Sequence, residues 1–185
     1  GTIALEMLAE RADLDALVIP IGGGGLIAGN AIAAKALRPQ IEVLGVESEL
    51  YPSMWNAMHG QDRPCGGATL AEGIAVKNVG KLALPIIRER VSDILLVSES
   101  QLERAVNAYL TLQKTMAEGA GAAGLAALHR ALELGRVDLD EELALADEVA
   151  FLDADLQDAA GDVEGHAADT DESEQAGRQR DDSLS

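Results

Sequence analysis

Four consecutive glycines, Gly22–Gly25, are the part of the sequence best suited to binding chemistry. They lie between an apolar run that ends at Pro20 and a helical pattern that begins at Leu26. At a strand-to-helix turn the backbone amides converge, glycine permits positive φ and close backbone approach, and the helix dipole favours an anion. Because four glycines exceed what a turn requires, we interpret the amides of this run and of Leu26 as a phosphate cradle.

Two sequence fingerprints bear on which phosphate the run would bind. A P-loop is excluded because no Gly-Lys-Ser or Gly-Lys-Thr follows the glycines. The dinucleotide fingerprint fits, since Gly23, Gly25 and Ala28 have its spacing. Glu47 ends the next predicted strand about 20 residues later, where an acid that binds a ribose would lie. The spacing alone therefore leaves a dinucleotide open as the ligand.

Strands and helices alternate around the glycine run. Short apolar runs predict three strands, at 14–20, 41–47 and 93–98. Longer patterns predict helices near Thr2, after Pro52, and at 26–37, 81–90, 98–118 and 119–135. Ser100 and Glu103 have the spacing of a capping box, with Ser98 as the alternative cap. Since a crossover helix makes two strands parallel, the predicted fold is α/β, a mainly parallel sheet with helices on both faces.

The formal net charge of −18 is concentrated at one end of the chain. Residues 137–185 hold 17 acidic residues against two arginines, whereas residues 1–136 are nearly neutral. Lysine and proline also disappear after Arg136. The change of composition predicts a domain boundary there.

Composition also restricts the partners and the compartment. An acidic chain with no basic cluster argues against nucleic acid and against anionic membrane surfaces. The single cysteine, Cys65, rules out an internal disulfide and fits a reducing compartment. No apolar run approaches the roughly 20 residues that a membrane span needs, and no signal peptide is visible. We therefore expect a cytoplasmic protein.

Several separated blocks of the sequence share one resemblance. The blocks are VIPIGGGGLIAG, LGVESELYPSM, LAEGIAVKN, DILLVSE and QKTMAEGAGAAGLAAL. In this order and at these intervals, they resemble the threonine ammonia-lyases (threonine dehydratases), pyridoxal-phosphate enzymes of fold type II related to serine racemase. The agreement covers residues 1–135 and is more specific than a single glycine run.

The resemblance implies roles for particular residues. The cofactor phosphate would be held by Gly22, Gly23, Gly24, Gly25 and the amide of Leu26. The backbone at Glu72 and Gly73 would line the edge of the cofactor, and Glu118 stands where family members have an acid close to it. The cofactor implied by all of these positions is pyridoxal 5'-phosphate.

A divalent cation is a further implication of the resemblance. Glu47 matches a cation ligand of racemase-like relatives. Those relatives use a second acid six residues later, where this chain has Ser53. The sequence therefore offers one carboxylate of that pair.

The activity implied by the resemblance is the deamination of L-threonine to 2-oxobutanoate and ammonia, with serine as a second substrate among relatives. This activity belongs to isoleucine biosynthesis or to threonine catabolism. Family members are commonly oligomers, so the resemblance also implies a homo-oligomer. The partner it predicts is a small amino acid.

Two family features have no counterpart here. The lysine that forms the Schiff base lies in a Ser-Phe-Lys-type motif, which no lysine of this chain matches, whether Lys35, Lys77, Lys81 or Lys114. The Ser/Cys-Gly-Gly-Asn motif is replaced by acidic sequence after Arg136. We expect a C-terminal portion of a catalytic domain at 1–136, without a catalytic residue, and an acidic tail at 137–185 that is disordered, frameshifted or fused. An inactive cofactor-binding fragment and a dinucleotide module are the alternatives.

Overall fold

A computed structural model describes residues 1–133 of the chain. Nine helices and strands and one 3₁₀ turn occur in this part. In chain order they are α1 (Thr2–Glu10), β1 (Ala16–Pro20), α2 (Gly25–Leu37), β2 (Glu42–Ser48), α3 (Ser53–His59), the 3₁₀ turn (Glu72–Ile74), α4 (Ala83–Arg90), β3 (Asp93–Val97), α5 (Glu99–Thr111) and α6 (Gly119–Glu133). The acidic tail predicted at 137–185 lies outside the described residues.

The three strands form one parallel sheet in the order β1-β2-β3. Leu17 is opposite Val43, and Gly45 is opposite Ile94. Helix α2 makes the crossover from β1 to β2, and the chain through α3 and α4 makes the crossover to β3. All three strands therefore point their carboxyl ends at one edge, which is where ligands bind in open parallel sheets.

Successive side chains of the strands are buried on opposite faces of the sheet, as the strand repeat requires. One core cluster contains Leu17, Ile19, Val43 and Ile94 together with residues of α1, α2 and α4. The other contains Val46, Leu95 and Val97 together with residues of α5 and α6. The prediction of an α/β fold with helices on both faces is confirmed.

The helix predicted at 98–118 is shorter in the structure, because α5 ends at Thr111. Leu112 and Met116 continue an apolar pattern, but they are 40% and 90% exposed and have no core to pack against. Lys114 then takes a positive φ of 54°, which a continuing helix does not allow. Apolar residues at helical spacing therefore predicted a helix that tertiary packing does not support.

The N-terminal cap of α5 is Ser98. Its hydroxyl accepts a bond from the Gln101 amide at 3.3 Å, and its own amide donates to the Gln101 side chain at 2.9 Å. This reciprocal pair is a capping box. Ser98, the alternative cap considered from the sequence, is therefore the N-cap of α5. Ser100 and Glu103 have the spacing of a capping box but do not form one.

Within residues 1–133, no helix combines the length and the apolar character that crossing a bilayer demands.

Candidate active site at the carboxyl edge of the sheet

The glycine run follows β1 without a break in the sheet hydrogen bonds. The amide of buried Ile21 donates to the Val46 carbonyl at 2.7 Å, so the first residue after β1 is still fixed to β2. Gly24 then takes φ 91° and ψ −4° at the N-terminus of α2. A Cβ on Gly24 would lie 2.7 Å from Met54 Cε, so both the backbone conformation and the packing require glycine there.

The N-terminus of α2 presents backbone amides to solvent. The first i→i−4 bond of this helix is donated by Ala28 to Gly24 at 3.0 Å, which leaves the amides of Gly25, Leu26 and Ile27 without a partner inside the helix. Gly23 and Gly25 are exposed, and a Cβ on either would meet no atom within 4 Å. An anion could therefore approach the amides of the exposed residues Gly25 and Leu26 closely.

Gly80 fixes the glycine run from the other side, and the sequence did not identify it. Its amide donates to the Gly23 carbonyl at 3.0 Å, and a Cβ on Gly80 would lie 2.5 Å from that oxygen. A single glycine within the segment Asn78–Lys81 has no fingerprint of its own. Only the folded structure brings it to the turn.

The segment predicted to line the cofactor edge lies beside the glycine run. Gly73 belongs to the 3₁₀ turn, which begins at the exposed residue Glu72. A Cβ on Gly22 would lie 3.3 Å from the Gly73 carbonyl oxygen. The backbone of Gly22 thus lies close to that of Gly73, and a side chain at Gly22 would crowd the Gly73 carbonyl.

Glu118 joins the same group of residues. A Cβ on Gly73 would lie 3.1 Å from Glu118 Oε1 and 3.0 Å from Ala120 Cβ. The Glu118 carbonyl accepts the Ala122 amide at 2.9 Å, so its exposed side chain is held at the start of α6. The structure therefore brings together Gly22, Gly73 and Glu118, which are far apart in the sequence.

Glu47 lies apart from this group, buried at the end of β2 with 1% of its surface exposed. Its carboxylate accepts the amides of Met54 and Trp55, both at 2.8 Å, and the Ser53 hydroxyl at 3.4 Å. Burial raises the pKa of Glu47 to about 7, against the opposing effect of these three hydrogen bonds. The side chain thus caps α3.

This arrangement bears on both roles considered for Glu47. A carboxylate enclosed by the first residues of α3 is not accessible to the ribose of a dinucleotide. Glu47 therefore does not serve as the ribose-binding acid that the dinucleotide fingerprint requires. Among residues 1–133, no group of three or more His, Cys, Asp or Glu side chains is placed to hold a metal ion. Cation binding by Glu47 stays a prediction.

Comparison with known proteins gives consistent matches. The profile of the family described as pyridoxal-phosphate dependent enzyme matches residues 1–145. The L-threonine ammonia-lyase of Thermotoga maritima is 39% identical over 136 residues, which are 72% of this chain and 34% of that protein. The catabolic L-threonine dehydratase TdcB of Escherichia coli K12 is 44% identical over 132 residues, 69% of this chain and 40% of that protein.

A solved structure agrees with these matches. The threonine deaminase of T.th. superposes with a TM-score of 0.66 at 39% identity, over 73% of this chain and 51% of that one. The chain spans about a third to two fifths of the length of the two curated relatives.

Proposed function

The chain belongs to the family of pyridoxal-phosphate-dependent enzymes, and from this premise we propose that its glycine run binds the phosphate of pyridoxal phosphate in a protein that deaminates L-threonine. The observation that carries the proposal is that the open N-terminus of α2 follows a glycine run in which Gly22 lies against Gly73, with Glu118 beside Gly73. Substrate and activity are proposals for the whole protein, since the matched relatives are longer.

The phosphate would be held by backbone alone. The amides of Gly25 and Leu26 lie in the first turn of α2, whose N-terminus carries partial positive charge. Gly23 and Gly25 leave space in which a bulky dianion reaches the backbone. The residues present therefore fit a phosphate group.

The rest of the cofactor would lie toward Gly73 and Glu118. Gly73 is exposed, so a flat ring can approach its backbone. The exposed carboxylate of Glu118 beside it can accept a hydrogen bond from a donor on the ligand. When bound, pyridoxal phosphate supplies an electron sink for the loss of a proton from the substrate. We do not propose that any lysine of this chain forms the covalent bond to the cofactor.

A pair of substitutions at Gly25 tests the phosphate site. Gly25→Asp places a negative charge where the dianion would lie, yet aspartate suits the first turn of a helix. Gly25→Ala is the matched control because a Cβ at this position meets no atom within 4 Å. We expect the full chain to bind pyridoxal phosphate in calorimetry, Gly25→Ala to bind similarly, and Gly25→Asp to bind at least about tenfold more weakly. Equal affinities in all three would refute the proposed site.

Absorbance and product release test the absence of a covalent link. We expect no visible-range absorbance band when pyridoxal phosphate is added to this chain, and no ammonia from threonine. Appearance of such a band, or release of ammonia from threonine, would show that a lysine of this chain reacts with the cofactor. Tighter binding of NAD than of pyridoxal phosphate would instead favour the dinucleotide alternative.

Cation binding, self-association and a cytoplasmic location are three further proposals. A divalent cation would bind through Glu47, and loss of a calcium- or magnesium-induced change in Trp55 fluorescence in Glu47→Gln would support it. Trp55 is suitable because its amide contacts Glu47 and it is the single tryptophan of the chain. Self-association is tested by light scattering, and a cytoplasmic location by fractionation of cells.

A further inference from the structure

The carboxylate of Glu99 joins three segments at the carboxyl edge of the sheet. Its Oε1 accepts the hydroxyl of Thr69 at 2.7 Å and that of Ser48 at 3.2 Å, and its Oε2 accepts the amide of Leu70 at 2.8 Å. Glu99 lies in the first turn of α5, where the helix dipole favours a negative charge. Hydrogen bonds to a carboxylate are stronger than those between neutral groups.

The contacts of Glu99 continue into the segment that lines the proposed cofactor site. The Thr69 hydroxyl, besides donating to Glu99, accepts the amide of Ala71 at 3.1 Å. The Ala71 carbonyl then accepts the amide of Ile74 at 3.0 Å and closes the 3₁₀ turn that contains Gly73. Three successive hydrogen bonds thus connect the Glu99 carboxylate to the turn that contains Gly73.

Helix α6 closes the other side of this segment. A Cβ on Gly119 would collide with the Leu70 carbonyl and would lie 2.9 Å from the Ala71 nitrogen. The backbone at Leu70 and Ala71 is therefore clamped between α6 and Glu99. Without Glu99, the packing of Gly119 would remain, but the Leu70 amide would lose its partner.

We propose that Glu99 is a positioning residue that sets the 70–73 backbone against the glycine run, and so determines how tightly the cofactor ring is held. The proposal rests on the proposed function. Glu99 would not touch the cofactor, and it would not act on the phosphate, because the amides of α2 depend on none of its bonds. The loss of Glu99 should therefore weaken binding of the ring-bearing ligand and spare binding of phosphate alone.

The test compares Glu99→Ala with Glu103→Ala in the full chain. Glu103 is an exposed acid one turn further along the same helix, so the control makes the same change of side chain and charge. The probes are pyridoxal phosphate by calorimetry and inorganic phosphate by ³¹P NMR. We expect Glu99→Ala to bind pyridoxal phosphate about tenfold more weakly, which is the size of effect that one misplaced hydrogen bond to the ligand would have. Phosphate affinity should be unchanged, and Glu103→Ala should bind both probes as the unchanged chain does. Equal weakening of both probes, or of neither, would overturn the proposal.

Two further variants keep the result interpretable if Glu99→Ala folds poorly. Thr69→Val removes the hydroxyl that links Glu99 to Ala71 and should give the same selective loss. Because both side chains belong to one network, the double variant should lose no more than the worse single variant. Additive losses would contradict the network. Glu99→Gln, which keeps one acceptor oxygen, should restore part of the affinity.

Hydrogen exchange separates this proposal from the proposed function. In Glu99→Ala the amides of 70–75 should exchange at least about tenfold faster, while those of β1 and α2 keep their protection. This result does not depend on any ligand. If the unchanged chain binds neither probe, the proposed function fails and exchange alone decides the role of Glu99, with unchanged rates at 70–75 refuting it.

Discussion

Two helix N-termini at the same edge of the sheet differ in whether the protein itself provides an acceptor for their amides. At α3, the amides of Met54 and Trp55 donate to the buried carboxylate of Glu47. At α2, the amides of Gly25 and Leu26 face solvent, and the residues before them are glycines. Since both termini carry partial positive charge, the protein supplies the anion for α3 and leaves α2 accessible to an anion from solution.

The comparison shows why glycines alone do not define the site. What distinguishes α2 is the combination of unpaired amides, open space at Gly23 and Gly25, and a backbone fixed from both sides. What distinguishes α3 is an acid at the end of the preceding strand. The same dipole serves binding in one case and stability in the other.

The largest expected effect comes from Gly24→Val, which would destroy the turn that presents the amides of α2. A branched side chain would have to adopt φ near 91° and would overlap Met54 Cε. Strain and overpacking together should cost roughly 4 kcal/mol. Urea unfolding measures the loss. Gly25→Val is the control because a Cβ there is unobstructed, and a similar loss in both variants would contradict the special role of Gly24.

A change of pH tests the anion that α3 already holds. The pKa of Glu47 is about 7 in the folded chain, above the usual value of 4.5, because the carboxylate is buried. The folded state thus keeps a proton that the unfolded state has lost, so stability is highest below about pH 4.5 and falls as the pH rises through 7. The total fall is at most roughly 3 kcal/mol.

Urea unfolding at pH 5 and pH 8 measures this effect. Glu47→Gln is the comparison, because its side chain does not titrate. We expect the wild-type chain to lose more stability than the variant between these two pH values. Parallel changes in the two proteins would show that Glu47 does not titrate in this range.

Removal of the Glu47 carboxylate should lower the stability of the chain at neutral pH by somewhat less than the change of pH does. Glu47→Ala leaves the amides of Met54 and Trp55 without their acceptor, at a cost of about 2 kcal/mol. Glu42→Ala, at an exposed position of the same strand, should have little effect. Chemical denaturation compares the two, and equal losses would mean that α3 does not depend on its internal anion.

The smallest expected effect is a gain in the stability of the chain. Gly25→Asp gives α2 an internal anion of the kind that α3 has, and should stabilise the chain by about 0.5 kcal/mol. Thermal unfolding without ligand detects this change against Gly25→Ala. A lower melting temperature for Gly25→Asp than for Gly25→Ala would show that the N-terminus of α2 does not attract negative charge.

Much of the fold could be predicted from local patterns. The three strands are short, apolar and bounded by turn residues, and each was predicted to within two residues of its observed ends. The helix predicted at 98–118 was too long because exposed Leu112 and Met116 fit the same spacing as core residues. Periodicity shows which residues could face a core, but not whether a core is present.

The site was less accessible to sequence reasoning. The glycine run was predicted from its composition, whereas Glu72, Gly73 and Glu118 were predicted through a family resemblance. The sequence did not indicate Gly80 or Glu99, because each contacts backbone that is distant in sequence. Such bonds leave no pattern in a single sequence, since every residue supplies a backbone carbonyl and every residue except proline supplies an amide.

The bond from the Gly80 amide to the Gly23 carbonyl has one more consequence. The carbonyl oxygen of Gly23 and the amide hydrogen of Gly24 belong to one planar trans peptide and point in opposite directions. A rotation of that peptide plane would exchange a donor for an acceptor and repel an anion. The bond from Gly80 would be lost in such a flip, so it favours one orientation of a segment that is flexible by composition. The entropy of ordering the glycines is then lost during folding, before any ligand arrives.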